Sequence, residues 1–392
     1  MPKIVENSQN GARSPKTQFN LADNYCWAEI GNASYLTGCL KVEQIVQALA
    51  SLVRLAQTHQ LIYVNGALEM GLLVKGVWSS EWYDTKANKG EFIRTETQFR
   101  SAIGEEQFPL EYDRFHLFVS LACPWAHRTL IFRTLKGLEN IIGVTVVKPE
   151  MLENGWVMDD ELSVSLGYSK SPVEDIEFLR ELYLIADPVY TGRVTVPVLW
   201  DLKKATIVNN ESSDIIKAFN SAFAPLIGET YDYYPVLLRE EIDSLNNFIY
   251  ENINNGVYRA GFATSQGAYE RAFTDVFEAL DTLEKILDKN RFLLGSKITE
   301  VDWRLFTTLI RFDSVYYTHF KTNKKRIEDY PNLSNYLREL FQIEGITQTV
   351  DFEQIKRHYF YSHETINPHR IVPAGPDLDY SRPFVRSSLI NE

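Results

Sequence analysis

Residues 115–128 read FHLFVSLACPWAHR, and this stretch decides the fold. Aromatic and β-branched residues over 115–121 predict a strand that runs directly into Cys123. The residues from 128 to 135 then predict a helix, and the apolar run at 141–147 predicts a second strand. Two strands joined by a helical crossover form a parallel pair, so a β-α-β unit is expected here.

A hairpin and a helix follow this unit. The segment RVTVPVLW at 193–200 and the apolar residues 206–208 predict two strands, which a charged turn at 201–204 joins as an antiparallel hairpin. The Glu-Ser-Ser sequence at 211–213 then opens a helix with apolar residues at helical spacing. A β-α-β unit followed by β-β-α is the element order of a thioredoxin-like domain.

The pattern becomes helical after about residue 230. Apolar residues recur at helical spacing along 237–248, starting at Leu237, and along 273–287, which predicts an all-α region. Thr299 and Asp302 have the spacing of a helix capping box. The predicted fold is an α/β thioredoxin-like N-terminal domain plus an all-α C-terminal helical domain. Its segments are a peripheral leader over 1–69, the thioredoxin-like domain over 70–230, the helical domain over 231–350 and a C-terminal tail over 351–392.

The leader differs in character from the rest of the chain. Residues 1–20 are polar, and residues 42–56 have the spacing of one amphipathic helix. Met70 precedes another apolar run and is interpreted as an alternative translation start, which would make the leader dispensable.

The composition indicates a mildly acidic globular protein. The 392 residues include 40 Lys and Arg against 52 Asp and Glu, a net charge of −12, and 45% are hydrophobic. Nucleic acids and anionic membranes attract clustered Lys and Arg, so neither is an expected partner. The longest apolar stretch, at 45–56, is interrupted by polar residues and is shorter than the about 20 residues of a membrane-spanning helix.

Cysteine usage points to a reducing compartment. Cys26, Cys39 and Cys123 are too few and too far apart for a disulfide framework or a CxxC zinc site, and no metal site is predicted. The first twenty residues lack the apolar core of a signal peptide, which favours the cytoplasm.

Cys123 is the candidate nucleophile. It lies at a strand-to-helix turn, where free N–H groups and the helix dipole lower a cysteine pKa to about 3.5–7.5 from about 8.5. Arg128, one turn along the helix, is a further source of positive charge. A dithiol oxidoreductase would have a second cysteine at the position of Ala126, so the resolving thiol must come from outside, and glutathione is the abundant cytosolic candidate. The alternative is a buried structural cysteine.

Two further features would complete a thiol site. The step from Val196 to Pro197 interrupts a strand, and a cis proline there would face the cysteine and leave the preceding backbone free to pair with a peptide. Glu211 and Ser212 at a helix N-terminus can bind the amino and carboxylate ends of a γ-glutamyl group. Taken singly, each feature has an ordinary structural explanation. Pro197 would be an edge-strand proline, and Glu211 with Ser212 would be a helix cap. Their combination with Cys123 is specific.

At this point the sequence resembles the glutathionyl-hydroquinone reductases, the Xi-class glutathione transferases. The similarity covers residues 70–377. The departure from the family is the leader before this range, which does not match the family's usual N-terminus. It is carried by the motifs CPWAHR at 123–128, MLENGW at 151–156, GRVTVP at 192–197, NES at 210–212, NNGVYRAGF at 254–262, and the tail motifs at 358–359, 362–363 and 366–368.

The resemblance implies a glutathione transferase fold and a glutathione-dependent reductase without a metal. Cys123 would attack the sulfur of a glutathionyl-hydroquinone, release the hydroquinone and form a mixed disulfide, which a second glutathione would reduce. Trp156 would contact the glutathione, and Tyr258 and Tyr359 would lie beside the hydroquinone. Val196 would pair with the cysteinyl backbone, and Glu211 with Ser212 would hold the γ-glutamyl end. The family also implies a homodimer.

Two other functions fit the same residues. An omega-like thiol transferase or dehydroascorbate reductase would share the Cys123 mixed disulfide and differ in the pocket that the helical domain forms. A non-catalytic docking module would keep the fold without using the thiol. Outside the motifs that carry the resemblance, Tyr258 and Tyr359 are two of 21 tyrosines and would be assigned to packing.

Overall fold

The computed structural model describes residues 71–79 and 83–386. The leader over 1–69, its amphipathic helix and the alternative start at Met70 lie outside the described residues.

A four-stranded sheet forms the centre of the first region. Its strands are β3 (Phe115–Val119), β4 (Gly143–Val146), β6 (Val198–Asp201) and β7 (Thr206–Asn209), in the order β4-β3-β6-β7. Strands β3 and β4 are parallel, with Leu117 opposite Val144, while β6 runs antiparallel to both β3 and β7. Every residue of β3 is buried, as expected of a strand in the middle of the sheet between β4 and β6. The predicted β-α-β unit and hairpin are confirmed.

The prediction of one continuous strand over 193–200 is wrong. This segment is divided into β5 (Gly192–Arg193) and β6, and the interruption falls at Val196 and Pro197. Strand β5 belongs to a second, antiparallel sheet with β1 (Leu72–Val74) and β2 (Val77–Ser79), in the order β2-β1-β5. Proline cannot donate to a ladder, so the sheet ends there and a loop separates the two strands.

Five helices accompany these sheets. They are α1 (Pro124–Leu135), α2 (Asp160–Ser165), α3 (Arg180–Ala186), α4 (Ser212–Ser221) and α5 (Ala224–Ile227). Helix α1 connects the parallel strands and α4 follows the hairpin, as predicted. Both therefore begin at the same edge of the sheet, which brings Cys123 and Glu211 into one neighbourhood.

After Asn209 the described residues contain no further strand. The second region consists of α6 (Arg239–Ile249), α7 (Gly256–Gly261), α8 (Gln266–Leu287), α9 (Glu300–Arg311), α10 (Tyr317–His319), α11 (Pro331–Phe341) and α12 (Phe352–Ser362). Leu237 does not join the buried stripe, because α6 begins two residues later, and its side chain is 92% exposed. No described helix is long and apolar enough to cross a membrane.

The segment predicted as a C-terminal tail, residues 351–392, begins with a helix. Helix α12 lies within this segment and belongs to the helical core, because its Ile355 and Tyr359 are buried. Residues 367–386 contain no helix or strand. The proline-rich composition identified the irregular end of the chain but not the helix before it.

The capping box predicted at the start of α9 is present. The fully buried carboxylate of Asp302 accepts hydrogen bonds from the Thr299 N–H at 2.8 Å, the Leu293 N–H at 3.0 Å and the Tyr336 hydroxyl at 2.9 Å. It therefore ties the helix start to the preceding loop and to α11.

We expect Asp302→Ala to lower the free energy of unfolding by about 2 kcal/mol, because it leaves buried donors without an acceptor. Chemical denaturation of the purified protein measures this change. Asp302→Asn keeps one acceptor oxygen and should lose less. Equal stability of wild type and Asp302→Ala would contradict this account of the cap.

Candidate active site

Cys123 lies in the turn between β3 and α1. Its backbone is extended, and Pro124 occupies the first position of the helix, where its fixed φ suits the helix and its missing N–H costs nothing. The half-buried thiol is free, and its Sγ lies 3.6 Å from the carbonyl oxygen of Val196. The strand-turn-helix sequence therefore presents the thiol at the edge of the sheet, as predicted.

The electrostatic surroundings of the thiol differ from the prediction. Burial raises the pKa of the Cys123 thiol, while the N–H groups of Ala126 and Trp125 and the cations Arg311 and Arg94 act in the opposite direction. The predicted lowering of this pKa is wrong in direction in this structure. The helix N-terminus acts as expected, but desolvation of the thiolate outweighs it.

Arg128 does not supply the expected charge at the thiol. Its guanidinium lies over the ring of Trp125, 4.5 Å from the centroid, and donates to the side chains of Asn254 at 2.9 Å and Ser212 at 3.4 Å. It therefore links the first turn of α4 to the helical region.

The peptide bond between Val196 and Pro197 is cis, as predicted. Both residues line a cavity of about 180 Å³, and the Val196 carbonyl faces Cys123. Trp125, Glu211 and Ser212 also line this cavity. The structure thus brings four of the predicted site residues, Cys123, Val196, Glu211 and Ser212, to one place.

Glu211 is held in a fixed orientation at the N-terminus of α4. Its carboxylate accepts from the backbone N–H and the hydroxyl of Ser213, both at 3.0 Å, and from the hydroxyl of Thr97 at 3.3 Å. The Glu211 N–H donates to the side chain of Asn209 at 2.7 Å. A fixed carboxylate can bind an ammonium group, and the positive end of the helix dipole beside it favours a carboxylate of the same ligand.

Trp156 is not brought to this cavity. Its indole is 4% exposed and stacks on the ring of His358, with centroids 5.0 Å apart. The side chain therefore packs as a core residue between the loop of the MLENGW motif and α12. Its contact with glutathione stays a prediction from the resemblance.

Tyr258 and Tyr359 lie together, and a third tyrosine joins them. The hydroxyls of Tyr258 and Tyr359 are 2.5 Å apart, and the hydroxyl of Tyr316 is 3.0 Å from that of Tyr359. Burial raises the pKa of both Tyr258 and Tyr359 well above the ordinary value, so both phenols are protonated at neutral pH. The ring centroid of Tyr258 lies 6.4 Å from that of Trp125, two residues after Cys123, and a Cys123 thiolate would raise the pKa of Tyr258 further.

Sequence reasoning missed Arg94. It comes from the irregular segment before β3, and its guanidinium lies 5.0 Å from the ring centroid of Trp125 and 5.1 Å from that of Tyr258. It also lines the cavity. No motif around Arg94 signals this position, because it arises from a long-range contact of an irregular segment.

A larger, open cleft of about 730 Å³ lies between the loop at 148–159 and α12, and it does not include Cys123. Its walls carry mixed charges, with Arg357 paired to Glu150 at 2.6 Å. In the part of the chain that the structure describes, no group of His, Cys, Asp and Glu side chains is arranged to hold a metal ion. The smaller cavity is the candidate active site, because two of its lining residues adjoin the thiol: Val196, whose carbonyl lies 3.6 Å from the Cys123 Sγ, and Trp125, two residues after Cys123.

Comparison with known proteins identifies the family. The Glutathione S-transferase N-terminal domain matches residues 122–222, and the Glutathione S-transferase C-terminal domain matches residues 266–339. The chain is 54% identical over 326 residues to the glutathionyl-hydroquinone reductase YqjG of Escherichia coli, which covers 81% of this chain and 98% of that protein. It is 48% identical over 310 residues to the glutathionyl-hydroquinone reductase PcpF of Sphingobium chlorophenolicum, covering 78% of this chain and 96% of that protein.

A solved structure supports the same assignment. The glutathione-bound structure of the Escherichia coli protein YqjG superimposes with a TM-score of 0.73 at 51% identity, covering 81% of this chain and 99% of that one. The predicted glutathione transferase fold is confirmed. Because relatives about half identical to it match over nearly their whole length, the chain belongs to the glutathionyl-hydroquinone reductases of the glutathione transferase superfamily.

Proposed function

We propose that this protein is a glutathione-dependent reductase that removes glutathione from glutathionyl-hydroquinones, with Cys123 as its nucleophile. The observation that carries the proposal is the position of the thiol. It lies at a helix N-terminus, 3.6 Å from the carbonyl that precedes a cis proline, and the ring of Trp125, two residues further on, lies beside Tyr258 of the cluster of protonated tyrosines. Membership of the family supplies the substrate class.

In the first step, the Cys123 thiolate attacks the glutathionyl sulfur of the substrate. A sulfur–sulfur bond forms and the bond between sulfur and the aromatic carbon breaks. The electron pair stays on the carbon, which takes up a proton and leaves as the hydroquinone. The ring carbon is reduced by two electrons, and the two sulfur atoms are oxidised to a mixed disulfide.

In the second step, a glutathione thiolate attacks the glutathionyl sulfur of the mixed disulfide. Oxidised glutathione leaves and the Cys123 thiolate is restored. Ala126 stands where a dithiol enzyme has its second cysteine, so the resolving thiol comes from glutathione. The sum is one glutathionyl-hydroquinone and one glutathione converted to one hydroquinone and one oxidised glutathione.

The tyrosines fit the proton transfer of the first step. Phenols whose pKa is raised by burial hold their protons at neutral pH, and a chain of hydroxyls can pass a proton to the leaving hydroquinone. Glu211, Ser212 and the first N–H groups of α4 fit the γ-glutamyl end of glutathione, and the backbone of Val196 fits its cysteinyl part.

The proposal is tested by turnover of glutathionyl-menadiol with excess glutathione. Hydroquinone release is followed by chromatography, and intact mass is measured after substrate is added without glutathione. We expect rapid release and a glutathione-sized mass gain. An adduct formed with oxidised glutathione, but neither adduct nor release with glutathionyl-menadiol, would indicate an omega-like thiol transferase. No adduct with either reagent would favour a docking module.

We expect Tyr359→Phe to slow hydroquinone release about tenfold, because the hydroxyl that links the other two tyrosines is lost while Tyr258 keeps its own. Reaction of the thiol with oxidised glutathione should be unchanged, since that step has no aromatic leaving group. Tyr361→Phe on the same helix is the matched control, because its ring faces Arg357. Equal slowing of both reactions would contradict a role in proton transfer.

We also propose that the protein is a cytoplasmic homodimer. The family resemblance supports the dimer, and the cysteine usage supports the compartment. Size-exclusion chromatography with light scattering should give twice the mass of one chain. A mass equal to one chain at micromolar concentration would overturn the proposed dimer.

A further inference from the structure

Arg311, the last residue of α9, reaches from the helical region into the turn before Cys123. Its Nε donates to the carbonyl of Ala122 at 2.8 Å, and its Nη2 donates to the carbonyl of Leu121 at 2.9 Å. The side chain is completely buried. The planar fork of the guanidinium therefore holds the two carbonyls that directly precede the nucleophile.

The remaining contacts of Arg311 fix the state of His127. Arg311 Nη1 donates to Nδ1 of His127 at 3.0 Å. A guanidinium can only donate, so this Nδ1 accepts, and the proton lies on Nε2, which donates to the Thr349 hydroxyl at 2.8 Å. Burial lowers the pKa of His127 well below its ordinary value, so the ring is neutral. His127 therefore serves Arg311 as an acceptor and is not a base for the thiol.

Among the residues that the structure describes, no carboxylate is paired with the Arg311 guanidinium. In residues 71–79 and 83–386, its hydrogen-bond partners are the carbonyls of Leu121, Ala122 and Thr307 and the neutral ring of His127. A buried guanidinium charge without an opposite charge beside it is costly.

The Cys123 thiolate is the anion that this cation can face. Arg311 favours the ionised form of Cys123, and it does the same for Tyr316 and Tyr359. The net pKa of both tyrosines is nevertheless raised by burial, so they stay neutral. In the proposed mechanism, the Cys123 thiolate is therefore the negative charge that balances the Arg311 guanidinium.

We propose that Arg311 is a positioning residue for Cys123, which holds the turn before the nucleophile and supplies the buried positive charge that the thiolate faces. This inference rests on the proposed function, in which Cys123 acts as a thiolate. The other groups that act on the charge of the thiol are Arg94, Tyr258, Tyr316 and the N–H groups of Trp125 and Ala126, and the Val196 carbonyl lies 3.6 Å from its Sγ.

Arg94 is a weaker candidate for this role. It is half-buried at the cavity and lies over aromatic rings, so water and ligands screen its charge. Arg311 acts through the protein interior, where charges interact more strongly. Because Arg311 belongs to the helical region, the reactivity of the thiol then depends on how the two regions pack together.

The test measures the ionisation of Cys123 without any turnover. In a chain carrying Cys26→Ser and Cys39→Ser, the rate of alkylation by iodoacetamide is followed by intact mass from pH 5 to pH 10. We expect Arg311→Met to raise the apparent pKa of the Cys123 thiol by about one unit or more, and to slow alkylation about tenfold below that pKa. Arg311→Lys keeps the charge and should stay close to the parent chain.

Arg304→Met is the matched control. Arg304 lies on the same helix but is already paired with Glu300 at 3.2 Å, so its loss should leave the thiol pKa unchanged. A folded Arg311→Met protein with the parent pKa would overturn the proposal. If Arg311→Met does not fold, Arg311→Gln replaces it, with the same expectation. Failure of both neutral variants to fold would also overturn it, since Arg311 would then serve the fold and not the thiol.

The two hypotheses fail in different ways. Iodoacetamide reacts with the thiol whether or not the protein reduces hydroquinones. A shifted alkylation profile without turnover would reject the proposed function and keep the electrostatic role of Arg311, while turnover with an unshifted profile would do the reverse.

Discussion

Cys123→Ser is expected to reduce hydroquinone release at least about a thousandfold, because serine cannot form the mixed disulfide that the proposed mechanism requires. The glutathione-sized mass gain should disappear together with the activity. The measurements are steady-state release of menadiol and intact mass after exposure to the substrate.

The fold should tolerate this substitution. The Cys123 side chain makes no capping hydrogen bond to α1, and serine is a favoured residue at a helix N-cap. The melting temperature should therefore be unchanged or slightly higher, which separates loss of chemistry from loss of structure. Cys26→Ser and Cys39→Ser are matched controls and should retain release. Substantial release by Cys123→Ser, or its loss in either control, would contradict Cys123 as the nucleophile.

The elements nearest Cys123 were predictable because their signals are local. A buried strand, a Cys-Pro turn and a helix follow one another within 115–135. The helix forms the crossover to the next strand, so the two strands pair in parallel. The cis bond at Pro197 was predictable for the same reason, since proline marks its own position in the sequence. The element order gave the fold class without any long-range information.

The electrostatic part of the site was not predictable in this way. Arg311 lies 188 residues after Cys123, and Arg94 lies in an irregular segment before it. Nothing in the residues around either arginine says which turn or ring it will contact. The balance between desolvation of the thiol and the opposing helix N–H groups also depends on burial, which the sequence pattern does not measure.

The aromatic residues show the same limit. Tyr258 and Tyr359 were identified only through motif context, and Tyr316 was missed although its hydroxyl bonds to Tyr359. Trp156 has the loop context of a ligand contact, but a ring from α12, His358, covers it. A flat aromatic ring packs against whatever side chain the tertiary fold brings to it, so its neighbours cannot be derived from spacing.

Glu211→Gln is expected to raise the glutathione concentration needed for half-maximal rate about ten- to thirtyfold, because a charge-assisted hydrogen bond to the γ-glutamyl ammonium becomes a neutral one. The amide oxygen can still accept from the N–H of Ser213, so the start of α4 should stay folded. Calorimetric titration of glutathione into the Cys123→Ser chain measures the binding without chemistry.

A glutathione analogue without the γ-glutamyl amino group tests the assignment atom by atom. The wild type should bind this analogue as weakly as Glu211→Gln binds glutathione. The substitution should reduce the affinity for the analogue little further, because the carboxylate then has no ammonium to pair with. Thr97→Val is the matched control for the orientation of the carboxylate, since the Thr97 hydroxyl donates to Glu211 at 3.3 Å. This substitution should reduce the affinity for glutathione much less than Glu211→Gln does. If Glu211→Gln weakened glutathione and the analogue equally, the carboxylate would be acting as a helix cap, and the γ-glutamyl end would have to lie elsewhere in the cavity.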